Sequence, residues 1–160
     1  MRQFAKQCLF TTALALGLCA VVAAASAPDP AIGTWTLNVT KSKFDPGPVP
    51  KSQTRTYSET ADGITLSMEG VAADGSPTSL HATYKTDGKD YPITGSANYD
   101  TLSVRRINRS SIKATQKKDG KVVATTIRSV SAHGKVLTVT SSGTDVKGGK
   151  FHDVAVFDRQ

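Results

Sequence analysis

Downstream of Pro30 the chain alternates, residue by residue, between apolar and polar positions. Ile64, Leu66 and Met68 share one face, and Thr65, Ser67 and Glu69 share the other. Leu80, Ala82 and Tyr84 stand against His81, Thr83 and Lys85, and Leu137 and Val139 against Thr138 and Thr140. A period of two predicts strands with one dry and one wet face. That is the pattern of antiparallel sheet, since parallel sheets are covered on both sides. The many threonines and valines suit such a half-buried, pleated surface.

Turn signals separate these segments. Asp62-Gly63, Asp74-Gly75, Asp87-Gly88 and Asp119-Gly120 are joined by His133-Gly134 and Gly148-Gly149. Asp-Gly tolerates the positive φ angles of tight hairpins, so each pair predicts a turn. The spacing fits one strand plus a turn, or two strands where the gap is longest, and predicts about 8–10 strands. An open sheet of that width would leave exposed edges, which closure removes. The predicted fold is all-β: a single antiparallel up-and-down β-barrel. Residues 44–51 resist a strand reading, because Pro46, Pro48 and Pro50 remove backbone donors, and they predict a loop or flap.

The first residues change the picture of where the barrel works. Arg2 and Lys6 precede a nearly uncharged, apolar run from Leu9 to Ala25 that ends in three alanines. This reads as a secretory signal peptide over residues 1–25, with the barrel domain at 26–160. Its strongly apolar part, Ala13–Ala25, is short of the ~20 residues that span a bilayer. No integral membrane segment is therefore expected after cleavage, and the predicted location is periplasmic or extracellular. Cleavage also removes Cys8 and Cys19, the only cysteines, leaving 135 residues without disulfides. A domain of that size buries roughly two thirds of its unfolded surface, enough for a core without covalent staples.

Charge adds little. The chain has 20 basic and 13 acidic residues; losing Arg2 and Lys6 lowers the net charge from +7 to +5. Much of the excess lies between Arg105 and Lys121, where Arg105, Arg106, Arg109, Lys113, Lys117, Lys118 and Lys121 face Asp119 alone. Such a ribbon is either a solvated face or a surface for anionic lipid or polysaccharide. Nucleic acid is not expected, since no aromatics interleave the basic residues to stack bases.

At the first strand the chain reads Ile32-Gly33-Thr34-Trp35-Thr36-Leu37-Asn38. A Gly-x-Trp opening a short-turn antiparallel barrel resembles the lipocalins and fatty-acid-binding proteins, the calycin group. The resemblance implies that Gly33 bends the chain at the closed end and that Trp35 plugs it. It also implies a late arginine packed across the tryptophan, with Arg159 the positional candidate and Arg128 second. The segments from Gly33 to Phe44, Gly88 to Pro92 and Lys135 to Thr140 also resemble a family of small, lipocalin-like exported bacterial proteins. That likeness spans nearly the whole of residues 26–160; it implies a fold and a compartment and names no ligand. Two features depart from fatty-acid-binding proteins. The last strand, Val154-Ala155-Val156-Phe157-Asp158, lacks their Arg-x-Tyr, and the proline loop stands where they carry two lid helices.

Chemical candidates are few. With no thiol after export, cysteine catalysis is excluded. His81, His133 and His152 lack metal-ligand spacing and a Gly-x-Ser-x-Gly to serve. Residues 143–150 (GTDVKGGK) miss the spacing of a phosphate loop and read as a hairpin tip. Neither a cofactor nor a catalytic site is expected. The arginines carry more. Leu102, Val104 and Arg106 are in phase, Arg128 is in phase with Val122, Ala124, Thr126 and Val130, and Arg55 with Tyr57. A buried guanidinium must find a partner. That partner is either an anionic ligand head held by paired hydrogen bonds or an acid such as Glu59, Glu69 or Asp100; otherwise the strands bulge or each arginine reaches the barrel mouth.

The expected function is binding of a small hydrophobic or amphipathic ligand, mostly apolar and possibly acidic. The apolar part would lie on Leu66, Met68, Leu80, Val104 and Tyr84. Arg106 would meet the polar end, with Tyr57 or Arg128 as helpers. The alternative is a filled, non-catalytic barrel of the envelope that meets anionic surfaces through its basic face.

Overall fold

The computed structural model describes residues 28–145 and 147–160. The signal-peptide reading of residues 1–25 lies outside them. Ten antiparallel strands form one closed barrel. They are β1 (Gly33–Leu37), β2 (Ser52–Thr60), β3 (Gly63–Val71), β4 (Pro77–Tyr84) and β5 (Asp87–Thr94). The second half adds β6 (Thr101–Asn108), β7 (Ser111–Lys118), β8 (Lys121–Val130), β9 (Val136–Thr144) and β10 (Lys150–Arg159). Each strand pairs with its sequence neighbour, and β1 closes the ring by pairing with both β2 and β10. The up-and-down order follows from the short turns, which leave no room for crossovers.

At the β7–β8 turn Asp119 (φ 49°) and Gly120 (φ 75°) both take positive φ, as a two-residue hairpin requires. The Asp119 N–H also donates to Asp100 Oδ2 at 3.0 Å, and that bond holds the Asp100 carboxyl below the usual carboxylate range. At the β9–β10 tip the Asp145 carboxylate accepts from the N–H groups of Lys147 and Gly149, both at 2.8 Å. The amides that a phosphate would need are thus taken by the turn's own aspartate.

Pairing is uneven around the ring. The β3–β4 ladder runs over eight residue pairs, from Ile64↔Tyr84 to Val71↔Pro77. The β4–β5 ladder holds only His81↔Thr94 and Ala82↔Ile93. Asp87-Gly88, read as a turn, falls instead at the start of β5.

The core fills the closed half of the barrel. Trp35, Val104, Leu137 and Phe157 are fully buried there. Gly33 at φ 128° lets the chain swing into β1. The Trp35 indole N–H donates to Ala31 O at 2.7 Å, satisfying its one polar atom. The Arg159 guanidinium lies 4.2 Å from the ring centroid of Trp35. It also donates to Gly134 O, Ile32 O and Pro30 O at 2.6, 2.8 and 2.6 Å. Arg159 thus ties the entry segment, a distant turn and the plug together.

At the other end a single 3₁₀ turn, Val39–Lys41, is capped by Asn38. The chain then runs beside β10, with Lys43 and Val154 exchanging backbone hydrogen bonds at 2.8 and 2.7 Å. Residues 44–51 are irregular, with bends at 45–47 and 51 and no helix.

Candidate functional site

Cross-strand register builds the interior in rows. Arg55, Met68 and Leu80 are opposite one another across β2, β3 and β4. Val104, Ala114, Thr126 and Ser141 make a second row across β6 to β9. Ile112, Arg128 and Val139 lie one step nearer the plug. Large apolar residues dominate toward the plug; small and hydroxylated ones dominate toward the opposite end. Space follows that gradient. A small inner chamber of about 80 Å³ meets an outer one of about 360 Å³. Arg55, Met68, Tyr99, Gln116, Thr126, Val139 and Ser141 line both and so form the neck between them. The outer chamber reaches Phe44, Pro46 and Gly47 of the proline loop.

The inner chamber is apolar on most sides, with Leu66, Leu80, Ala82, Leu102 and Val104 among its walls. Its floor is polar. Arg128 is buried, and its Nη2 donates to both oxygens of Asp29 at 2.8 and 2.7 Å. Its Nη1 reaches the Tyr84 hydroxyl at 3.5 Å, and its guanidinium carbon lies 5.0 Å over the Tyr57 ring. Burial alone would lower the Arg128 pKa, but Tyr84, Tyr57 and Asp29 outweigh it and raise the value. Burial likewise pushes the Tyr84 phenol above its ordinary range, with Tyr57 adding to the shift.

The neck carries a different polar set. Gln116 Nε2 donates to Thr126 Oγ1 at 2.8 Å, and that hydroxyl bonds Ser141 Oγ at 2.8 Å. Gln116 Oε1 is buried without a partner. Across from them, Arg55 stacks its guanidinium 5.0 Å over the Phe157 ring and donates through Nε to Gln53 Oε1 at 3.0 Å. Among the described residues, none of the ion pairs includes Arg55.

Of the residues read as ligand-contacting, Tyr57, Leu66, Met68, Leu80, Tyr84, Val104 and Arg128 all line the inner chamber. Arg106 does not. It has the inward phase, but it comes after Val104, where the β6–β7 pairing turns irregular before Asn108. Its side chain runs out toward solvent, 37% exposed, and meets Asp29 at 3.4 Å. The expectation that Arg106 greets a ligand inside the barrel is therefore corrected, because a strand end keeps its phase but loses its enclosure. The acid that answers Arg128 and Arg106 is also not Glu59, Glu69 or Asp100. It is Asp29, from the segment ahead of β1.

Sequence reasoning missed Gln116, Ser141 and Tyr99 and left Arg55 out of the ligand set. Gln116 is in phase with Ile112 and Ala114, a signal that was there to use. Tyr99 sits in the β5–β6 connection, where no periodicity marks it.

Three of the seven basic residues in the run, Arg106, Lys117 and Lys118, have ion-pair partners among the described residues. Lys117 contacts Asp90 at 2.7 Å and Lys118 contacts Asp100 at 3.8 Å. His152 Nδ1 bonds Ser142 Oγ at 2.7 Å on exposed side chains of β9 and β10. Among the described residues no helix is long and apolar enough to cross a membrane.

No family model and no curated protein matches the chain. Among solved structures, zebrafish ileal bile acid-binding protein complexed with cholic acid is similar, at 11% identity and a TM-score of 0.49. The match covers 82% of this chain and 99% of that one. Similarity at this level says nothing of what this chain binds.

Proposed function

We propose that the protein is an exported carrier of one small, mostly apolar acid, taken into the barrel through the outer chamber. The observation that carries this reading is Arg55. It is a half-buried guanidinium in the neck between the two chambers, beside the apolar inner one, with no carboxylate partner among the described residues. A guanidinium in such a place is a fitted receptor for a carboxylate, which it holds with two parallel hydrogen bonds. The outer chamber, about 360 Å³, falls within the roughly 300–1,000 Å³ of small-molecule sites. The apolar walls next to Arg55 take the tail.

Arg128 is a weaker anchor, since Asp29 already occupies it. A role for the basic face at anionic surfaces has less support, because Lys117, Lys118 and Arg106 are engaged by Asp90, Asp100 and Asp29. Export rests on the pattern of residues 1–25, and sequencing the amino terminus of the protein from its host tests it; a start near Ser26 is expected.

Native mass spectrometry of the host-purified protein, followed by titration of stripped protein with dodecanoic acid, tests the carrier reading. Saturable one-to-one binding is expected. Absence of saturable binding of dodecanoic acid and of any co-purified lipophilic acid overturns it.

A further inference from the structure

Resting on that reading, we infer that the ligand carries a hydroxyl close to its acid group and is not a plain alkanoic acid. The neck offers two unfilled groups of opposite kind. Arg55 hydrogen-bonds through Nε alone among the described residues, leaving its terminal nitrogens to an anion. Gln116 Oε1 is an acceptor shut away from solvent with no donor. Its own amide nitrogen is held by Thr126, and Thr126 is held in turn by Ser141. That chain ties the Gln116 side chain to β8 and β9 and leaves its carbonyl without a donor.

A buried acceptor without a donor is a costly feature to keep. A carboxylate cannot answer it, because an ionised acid has only acceptors. An alkyl tail cannot either. A hydroxyl can, and Arg55 and Gln116 both line the neck, so the hydroxyl belongs near the carboxylate end. The Thr126 and Ser141 hydroxyls of the neck already bond each other. Tyr99 and Met68 supply aromatic and thioether surface, and Val139 a methyl wall.

The test compares dodecanoic acid with α- and β-hydroxydodecanoic acid by calorimetric titration of the stripped protein. At least one hydroxy acid should bind tighter by about fivefold, the worth of one ordinary hydrogen bond. Gln116→Met, close in size and without an acceptor, should erase that preference, so that the hydroxy acids and dodecanoic acid bind the variant with equal affinity. Equal affinities for all three acids in the unmodified protein overturn the inference, and that measurement does not depend on any variant folding. A preference that survives Gln116→Met overturns the assignment to Gln116. If none of the three acids binds, the carrier reading itself has failed, which is a separate result.

Discussion

Arg128 and Asp29 lie 99 residues apart in sequence and meet in the floor of the barrel, two hydrogen bonds joining side chains that are each 3% exposed. The pair fastens the segment ahead of β1 to the wall opposite it. Removing one partner strands a buried charge, which typically costs about 3–5 kcal/mol. Asp29→Ala should therefore lower the urea-derived unfolding free energy by that amount. Replacing both residues together, Asp29→Leu with Arg128→Leu, should recover much of the loss, since an apolar pair of similar volume needs no countercharge. A double variant no more stable than Asp29→Ala would show that the charge is not what makes the site costly.

The same pair shows where sequence reading stops. The closed barrel, its antiparallel order and the inward faces of β3, β4 and β9 follow from period two and turn chemistry, which act over a few residues. Arg128 could be placed inside on phase alone. Its partner could not, because Asp29 lies in an irregular segment whose position is set by the Trp35 plug and by Arg159. Arg106 failed for a related reason. Phase tells which side a residue faces but not how far along the barrel it sits, and at a strand end inward no longer means enclosed. The neck was half legible: Gln116 and Arg55 have inward phase, but only the closure of the barrel brings them to one cavity.

Tyr84 gives the protein an alkaline limit. Burial raises its folded pKa above the ordinary phenol value of about 10. Above that pH the unfolded chain releases a proton that the folded one keeps, so stability is full below about pH 10 and falls as pH rises further. Tyr84→Phe removes this titration. It should flatten the alkaline limb of a stability–pH curve measured by urea denaturation, at the cost of a long contact to Arg128. An unchanged slope above pH ~10 would assign the limb to other groups.

Arg159 closes the plug end. Its three carbonyl contacts and its stacking on Trp35 are on an exposed side chain, so each is worth less than a buried equivalent. Arg159→Ala should cost about 1–2 kcal/mol, a cation–π contact plus part of three charge-assisted hydrogen bonds. Trp35 is the only tryptophan, so its fluorescence reports the site directly. Its emission should change in the variant while far-ultraviolet circular dichroism stays that of a β-barrel. Gly33→Ala should cause a similar loss, because a Cβ there would lie 2.7 Å from Arg159 Nη1 on a backbone at φ 128°.

Two arginines separate the readings of the ligand site. Arg55 lines the neck and stacks on Phe157, whereas Arg106 lies outside the chambers with its guanidinium toward Asp29 and solvent. A carboxylate ligand lodged at the neck loses a charge-assisted hydrogen bond when Arg55 is removed, and such bonds are worth about 1.5–3 kcal/mol. Dodecanoic acid should therefore bind Arg55→Met at least about tenfold more weakly than the unmodified protein. Arg106→Ala should leave that affinity unchanged and cost only a little stability through its part-exposed contact with Asp29. Salt should discriminate further, since a guanidinium–carboxylate contact shielded in the neck is screened less than one at the surface. Affinity that depends on Arg106 and ignores Arg55 would move the headgroup to the closed end of the barrel, where the structure leaves no chamber lined by Arg106 among those described.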